Sequence, residues 1–424
     1  MSNPTYYQAN ASEPFPIAPP LTEPVTADVC VIGGGYAGLS AALHLVRQGA
    51  SVRLLEASRI ADGASGRNGG QVHNGFRYDS RWFESRLGAD FARQIGELAI
   101  ESRAHLDWLI RTYNIDVQYQ PGLLHLCHKK SYVAAAKAHV DDVMSRHPEA
   151  GLRFVDVHEA RSLVSSNDYY GGYLDTRSGH LHALNLALGI ARAASQHGAL
   201  LHEHSAAIRI SRNGAGWEVH TAAASVKAPN VILAGNGYLR DLQPAVEARV
   251  MPINNFVVTT EPLGREAAEG LIRGRLAVSD SRFVVYYFRI TPDDRLLFGG
   301  GETYSYQFPN DIAGMVRKHL LHVFPQLQDT RIEHAWGGTL AITTSRLPFV
   351  REVEPGLFNA SGFSGQGIVV APFAGKALAE AIGGNRRVFD ALAQFPVRRF
   401  PGGKYLRRPV LVGAMSWYAL RDHL

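Results

Sequence analysis

Apolar residues recur along this chain in two periods, and the points where one gives way to the other mark its elements. A four-residue apolar run at Val29–Ile32 reads as a buried strand, and residues 37–48 carry Leu39, Leu43 and Val46 at helical spacing. Residues 51–55 form a second apolar run, so the three segments together predict a strand–helix–strand unit. Residues 85–145 read as helices around a short strand near 122–127, and residues 180–197 as an amphipathic helix. Residues 204–210 and 217–221 flank a turn at Asn213 and Gly214, and residues 231–234 form another buried strand. Residues 250–260 and 282–299 alternate in the manner of strands, with TPDD at 291–294 as the hairpin turn. Residues 358–360 read as a strand and 368–382 as an apolar helix. No window holds about 18 consecutive apolar residues, so no helical membrane span is expected.

Length and composition narrow the picture modestly. A chain of 424 residues can bury a large core in two or three domains, and 46% hydrophobic content with dispersed glycine and proline fits a folded globular enzyme. The net charge of +5 arises from 43 basic and 38 acidic residues scattered without a polybasic run, so no nucleic acid partner is expected. Cys30 and Cys127 form neither a disulfide framework nor a metal-ligand spacing, which predicts a reducing, cytoplasmic setting and no metal site. Residues 1–23 lack a basic start and an apolar centre, and their prolines suggest an extended arm rather than a secretory signal.

The glycines fall at the joint between the first strand and its helix. Gly33, Gly35 and Gly38 form GxGxxG: the first permits the tight turn, the second lets backbone approach a pyrophosphate, and the third lets helix and strand pack closely. Free N–H groups at the helix start, aided by the helix dipole, then face the negative charge. Glu56 ends the second strand about 20 residues on, where an acid accepts hydrogen bonds from ribose hydroxyls. A dinucleotide follows, and this unit alone does not separate FAD from NAD. Two later segments carry further candidates. ADGASGRNGGQ at 61–71 offers glycines for close approach, with Ser65, Arg67, Asn68 and Gln71 as polar groups. SGFSGQG at 361–367 is a glycine-rich turn before a helix whose N-terminus points back at whatever the turn holds. GNGYLR at 235–240 has only two spaced glycines, and Pro244 is expected to break any helix there, so no second nucleotide unit and no NAD(P)H partner is expected.

The pairing of VIGGGYAGLSAALHL with GASGRNGGQ, then VILAGNGYL at 231–239 and GFSGQGIVVAPFAGKALAEAI at 362–382, resembles the D-amino-acid oxidase family of FAD-dependent oxidoreductases. Within it, GASGRNGGQ, AWGGTLAITTSRLPFV at 335–350 and the tail from residue 400 are similar to the gamma-glutamylputrescine oxidases and their relatives. The resemblance spans residues 24–424. It implies an α/β fold: a Rossmann-like FAD-binding domain with a parallel sheet, plus a substrate domain with a mainly antiparallel sheet and helices. The corresponding boundaries are an arm at 1–23, an FAD-binding domain from 24–84, 150–245 and 330–385, a substrate domain from 85–149 and 246–329, and a tail at 386–424.

The resemblance also implies where extended FAD lies. Gly33, Gly35, Tyr36, Ala37 and Gly38 would meet the pyrophosphate, Glu56 and Ala57 the adenosine ribose, and Ala207 the adenine. Ser65, Arg67, Asn68, Gly69, Gly70 and Gln71 would follow the chain toward the flavin, with Gly235 nearby. Ser364, Gly365, Gln366, Gly367 and Ile368 would approach the isoalloxazine, where helix N–H groups stabilise the charge that reduced flavin carries near N1 and O2. Sarcosine oxidases in the family tether flavin through a cysteine and grip a carboxylate with a basic residue; the nearest positions here are Gly337 and Val369. Noncovalent FAD and a longer amine substrate are therefore expected.

The implied activity is oxidation of gamma-glutamylputrescine or a related gamma-glutamylated polyamine by hydride transfer to flavin N5. The imine would hydrolyse to an aldehyde, and O2 would reoxidise the cofactor. His73, Tyr287, Trp336 and Gln366 are the candidate pocket residues, with neighbouring Tyr286 pointing oppositely to Tyr287. Two other readings stay open: a D-amino acid or secondary amino acid dehydrogenase passing electrons to a quinone, and a flavin-bearing subunit without turnover. The apolar stretch at 409–420 behind Arg398, Arg399, Lys404, Arg407 and Arg408 fits either a membrane surface or packing across the FAD domain. Packing is expected, because apolar helical segments are more often buried.

Overall fold

The apolar run Val29–Ile32 is buried along its whole length, as expected of a strand covered on both faces. In the computed structural model, which describes residues 4–303, 307–402 and 413, it lies at the centre of a six-stranded sheet. The strand order is Phe349–Glu354, Leu357–Ser361, Asn230–Leu233, Val29–Ile32, Val52–Leu55, Leu200–His202. Every pair is parallel except the first. Helices Tyr36–Arg47, Ala183–Gln196 and Gly367–Ile382 cover one face through a core that includes Val31, Leu54 and Ile232. Cys30, Val231 and Leu233 point the other way, onto Trp217, Val219 and Val226 of a four-stranded sheet. Two of the covering helices touch backbone to backbone: a Cβ at Gly375 would collide with the carbonyl of Ala37.

A nine-stranded sheet, antiparallel but for one pair, makes the second half of the molecule. Its order is Ile332–Ile342, Met251–Thr260, Leu296–Thr303, Tyr287–Ile290, Ala277–Asp280, Gln120–Leu126, Gly172–His180, Gln71–Val72, and Leu152–Val155 also pairs with Gly172–His180. Phe256, Val258, Phe288 and Phe298 share one face with the helix Ile312–Val323. Val257, Leu297 and Trp336 lie on the opposite face, in the core shared with the six-stranded sheet's helices. The alternation expected of 250–260 therefore separates two cores. The TPDD stretch closes the hairpin, with Asp294 donating to the Thr291 carbonyl at 3.0 Å.

The helix Ala183–Gln196 is amphipathic as expected, but its polar side is also largely covered, Asn185 bonding Ser12 and Arg192 pairing with Glu13 of the N-terminal arm. Three expectations are corrected. The segment expected as a strand from 204 begins one only at Arg209, because His204 turns at φ 51° and Ser205 bonds the Glu56 carbonyl. Pro244 opens a short helix, Pro244–Glu247, instead of breaking one, which its fixed φ and missing N–H permit at the first position. The arm is not simply extended: Thr5 and Gln8 form a capping box for the helix Tyr6–Ala9, and Tyr7 is fully buried. The apolar C-terminal stretch, apart from Gly413, lies outside the described residues.

Candidate cofactor and substrate site

The glycines of the first turn are required by geometry. Gly33 has φ 112°, and a Cβ there would stand 2.8 Å from the Ala234 backbone; a Cβ at Gly38 would collide with the Gly33 carbonyl. Gly35 caps the helix Tyr36–Arg47 without a side-chain bond of its own, and Ser65 Oγ accepts the Tyr36 N–H at 2.9 Å. Glu56 closes the unit, its carboxylate accepting the N–H of Gly34 at 2.7 Å and of Ser58 at 2.9 Å. Burial raises its pKa, and those backbone N–H groups oppose the rise. The segment after Leu200–His202 runs alongside, Ser205 donating to the Glu56 carbonyl at 2.8 Å, which brings Ala207 to this end of the molecule.

The loop after the second strand is fixed by its own side chains. Asn68 donates to the Ser65 carbonyl at 2.8 Å and accepts from the Gly70 N–H at 2.9 Å. Arg67 binds Asp62 twice, through Nε to its carbonyl and through Nη2 to its carboxylate, both at 2.6 Å. Gln71 donates to the Val278 carbonyl at 2.6 Å. Trp336 and Tyr287 bear on this loop from the sheet. The indole N–H of Trp336 donates to the Arg67 carbonyl at 2.9 Å, and the Tyr287 ring fills the space a side chain would need at Gly69 or Gly299.

The late turn joins the same strand. Ser364 N donates to the Ala341 carbonyl at 2.9 Å, so Ile332–Ile342 meets the loop at Trp336 and the turn at Ala341. Gly362, Ser364 and Gly365 all have positive φ, and Ser364 holds that costly conformation while buried, the kind of backbone strain that concentrates at functional sites. Gln366 caps the helix Gly367–Ile382 without a side-chain bond, and Gly365 faces open space. The N-terminus of the helix is left with unshielded N–H groups.

Sheet register joins the candidates Tyr287 and Trp336 in one row with His125, Ser279 and Tyr173, which the sequence did not single out. Tyr173 pairs with His125, His125 with Ser279, Ser279 with Tyr287, Tyr287 with Gly299, Gly299 with Val257, and Val257 with Trp336. Cross-strand partners share a face, so these residues line the face opposite the Phe288 and Phe298 core. His125 binds Ser279 Oγ at 2.9 Å and stacks on Tyr173 at 4.6 Å. His73 joins the row at its far end, its ring 5.7 Å from His125. Trp336 and Tyr287 are thus brought together on the loop, Gln366 stands at the late turn, and His73 lies with His125. Burial lowers the pKa of His73 to about 4 and that of His125 well below the usual imidazole value, and nearby His73 and His139 depress His125 further. The signal was present in LLHLC, where a period of two places His125 opposite Leu124 and Leu126.

These residues fit an extended dinucleotide: glycines that no side chain can replace, two helix N-termini without side-chain caps, and an acid at the end of the second strand. A parallel sheet carrying that cradle, joined to a large antiparallel sheet with a polar face, defines a nucleotide-dependent oxidoreductase. The chain belongs to the FAD dependent oxidoreductase family DAO, whose profile matches residues 28–381, and its cofactor is FAD. It is 39% identical to a probable oxidoreductase OrdL of Rhizobium meliloti (strain 1021), over 99% of this chain and 97% of that protein. It is also 39% identical to the gamma-glutamylputrescine oxidoreductase of Escherichia coli (strain K12), over 99% of this chain and 98% of that one. Among solved structures, glycine oxidase from Geobacillus kaustophilus shares the fold, with a TM-score of 0.74 and 21% identity over 89% of this chain and all of that one. No single helix among the described residues is long and apolar enough to cross a membrane.

Proposed function

We infer that this protein oxidises an amine, with a gamma-glutamylated polyamine such as gamma-glutamylputrescine as its substrate and O2 as the final acceptor. The observation that carries the reading is the row Tyr173, His125, Ser279 and Tyr287 with His73 beside it, a half-buried polar surface whose groups are all uncharged near pH 7. FAD, when bound, takes up the two electrons and the hydrogen that leave the carbon beside the amine nitrogen. The chain's own residues prepare the amine. Desolvation on this face favours loss of the ammonium proton, and neutral imidazoles at His73 and His125 accept an N–H without repelling an arriving cation. The imine then takes up water to give an aldehyde and ammonia, and O2 leaves as peroxide.

Two further facts support the reading. The Escherichia coli relative named for gamma-glutamylputrescine aligns with nearly the whole chain. Val369, the position nearest to the one where the resemblance to sarcosine oxidases would place a cation for a carboxylate, is buried and apolar. The two free, buried cysteines support a cytoplasmic setting.

The test is anaerobic mixing of the holoenzyme with gamma-glutamylputrescine, with D-amino acids and proline as comparison substrates. Loss of flavin absorbance with the first, followed by peroxide release on admitting O2, is the expected result. Reduction only by amino acids would overturn the substrate, and turnover with a quinone dye but not O2 would overturn the acceptor.

A further inference from the structure

The N-terminal arm is the part of the chain that the nucleotide motifs leave unexplained. It enters the core as the helix Tyr6–Ala9, with Tyr6 and Tyr7 only 2% and 0% exposed. A tether would need no such burial. Tyr6 donates its hydroxyl to Asp293 in the hairpin turn at 2.8 Å. The Tyr7 ring meets His182 and Trp336 edge-on, with centroids 4.9 and 5.9 Å away. Its hydroxyl accepts from Arg289 Nη2 at 3.1 Å.

Arg289 is the unusual partner. It is 2% exposed on the strand Tyr287–Ile290 and makes no ion pair among the described residues. Its donors reach the oxygens of neutral groups instead: Nε the Gly69 carbonyl at 3.1 Å, Nη2 the Leu181 carbonyl at 3.3 Å and the Tyr7 hydroxyl. A buried cation without a counter-anion is expensive to keep, so its retention asks for a role. The loop it grips is the one that leads toward the flavin, and FAD brings negative charge at its diphosphate and, when reduced, at its ring.

The four segments close on one residue. Gly70 has φ 78°, and a Cβ there would collide with the Leu181 carbonyl and stand 3.1 Å from the Tyr7 hydroxyl and 3.2 Å from Arg289 Nη2. The Gly70 carbonyl in turn accepts the Leu181 N–H at 2.8 Å. Moving the arm would free Arg289, and freeing Arg289 would release the Gly69 carbonyl.

We propose that Arg289, locked by Tyr7, is a positioning residue for the FAD loop, so that the N-terminal arm is part of the cofactor site and sets how tightly FAD is held. The arm acts through Arg289 on the backbone at Gly69 and Gly70.

The test uses full-length protein stripped of FAD, the variants Tyr7→Phe, Arg289→Met and Arg289→Lys, and Ile17→Ala as a control on an arm residue that is 98% exposed. The FAD dissociation constant is read from quenching of flavin fluorescence, and the setting of the ring from visible circular dichroism of the bound flavin. Arg289→Met is expected to weaken binding about tenfold, ~1.4 kcal/mol, and to alter the visible dichroism. Arg289→Lys should recover part of that loss, Tyr7→Phe should weaken binding about threefold, and Ile17→Ala should change nothing. Wild-type affinity and dichroism in both Tyr7→Phe and Arg289→Met would overturn the proposal. So would a loss that lysine does not relieve and that merely follows a fall in melting temperature. If Arg289→Met does not fold, Tyr7→Phe decides alone, because it removes one hydroxyl and keeps the ring. No amine enters the experiment, so its outcome is independent of the proposed substrate.

Discussion

The indole N–H of Trp336 donates to the carbonyl oxygen of Arg67 at 2.9 Å, which fastens the loop at 61–71 to the edge strand of the nine-stranded sheet. Phenylalanine at 336 would keep an aromatic ring there and leave that carbonyl without its donor. Orphaning a sheltered acceptor costs about 1–3 kcal/mol. Trp336→Phe is therefore expected to lower the melting temperature and the fraction of protein that retains FAD through gel filtration. Unchanged values of both would show that the bond does not matter to the loop.

Gly38 and Gly96 give opposite outcomes for the same substitution. A methyl group at Gly38 would run into the Gly33 carbonyl, forcing the helix Tyr36–Arg47 away from the turn it follows. Gly38→Ala should yield colourless or insoluble protein. Gly96 sits inside the helix Ala89–Thr112 with open space around its missing side chain. Gly96→Ala should raise stability by up to ~1 kcal/mol, since alanine restricts the unfolded chain and favours the helix. A coloured, stable Gly38→Ala protein would contradict the close-approach argument.

What could be read from the sequence follows from how local each signal is. The strand–turn–helix at Val29–Ile32 and Tyr36–Arg47 is set by apolar periodicity and three glycines within one stretch, and the hairpin at TPDD by adjacent residues. Long-range packing was not legible in the same way. Ala183–Gln196 has the polar residues of an amphipathic helix, but Asn185 is buried because Ser12 and Asp116 from distant segments satisfy it. The burial of Tyr7 depends on Arg289, 282 residues away. At the site, Trp336 and Tyr287 stand out in the sequence as aromatic residues, while their task of holding the loop emerges only from the Trp336 bond to the Arg67 carbonyl and from the Tyr287 ring against the glycines at 69 and 299. His125 was missed because it is one polar residue in an apolar run, and its neighbours Ser279 and Tyr173 come from two other strands.

Glu56 holds two backbone N–H groups with one carboxylate, Gly34 on one oxygen and Ser58 on the other. An amide has a single acceptor oxygen, so Glu56→Gln would set its NH2 against one of those donors. The turn that presents Gly33 and Gly35 would lose a restraint, and a ribose hydroxyl would lose a charged acceptor. FAD affinity is expected to fall at least tenfold, about 1.4 kcal/mol, by fluorescence titration of the stripped protein. Binding at wild-type strength would remove Glu56 from the cofactor site.

Acid should destabilise the folded protein well before its carboxylates titrate in bulk. Burial lowers the pKa of His73 and His182 to about 4, of His44 and His180 to about 3, and of His105 to about 2, and holds His125 well below its usual value. In the unfolded chain each titrates near pH 6.5, by the model-peptide value for histidine. Below that pH the unfolded state binds protons that the folded state refuses, so stability falls with pH, from about 6.5 down through about 4, the value for His73 and His182. Above about pH 7 neither state is protonated at these sites, and their contribution is complete and flat. Asp280 works the other way, because burial raises its pKa to about 6 and the folded state keeps a proton there that the unfolded state releases. Glu56, whose pKa burial also raises, acts in the same sense as Asp280, and two carboxyls against six imidazoles do not reverse the sign. Melting temperatures measured with FAD in constant large excess should therefore hold between pH 8 and 7 and drop increasingly between pH 6.5 and 4.5. A melting temperature that stays level or rises across that lower interval would mean that these histidines are already charged in the folded protein, and with it the neutral face proposed for amine binding would be lost.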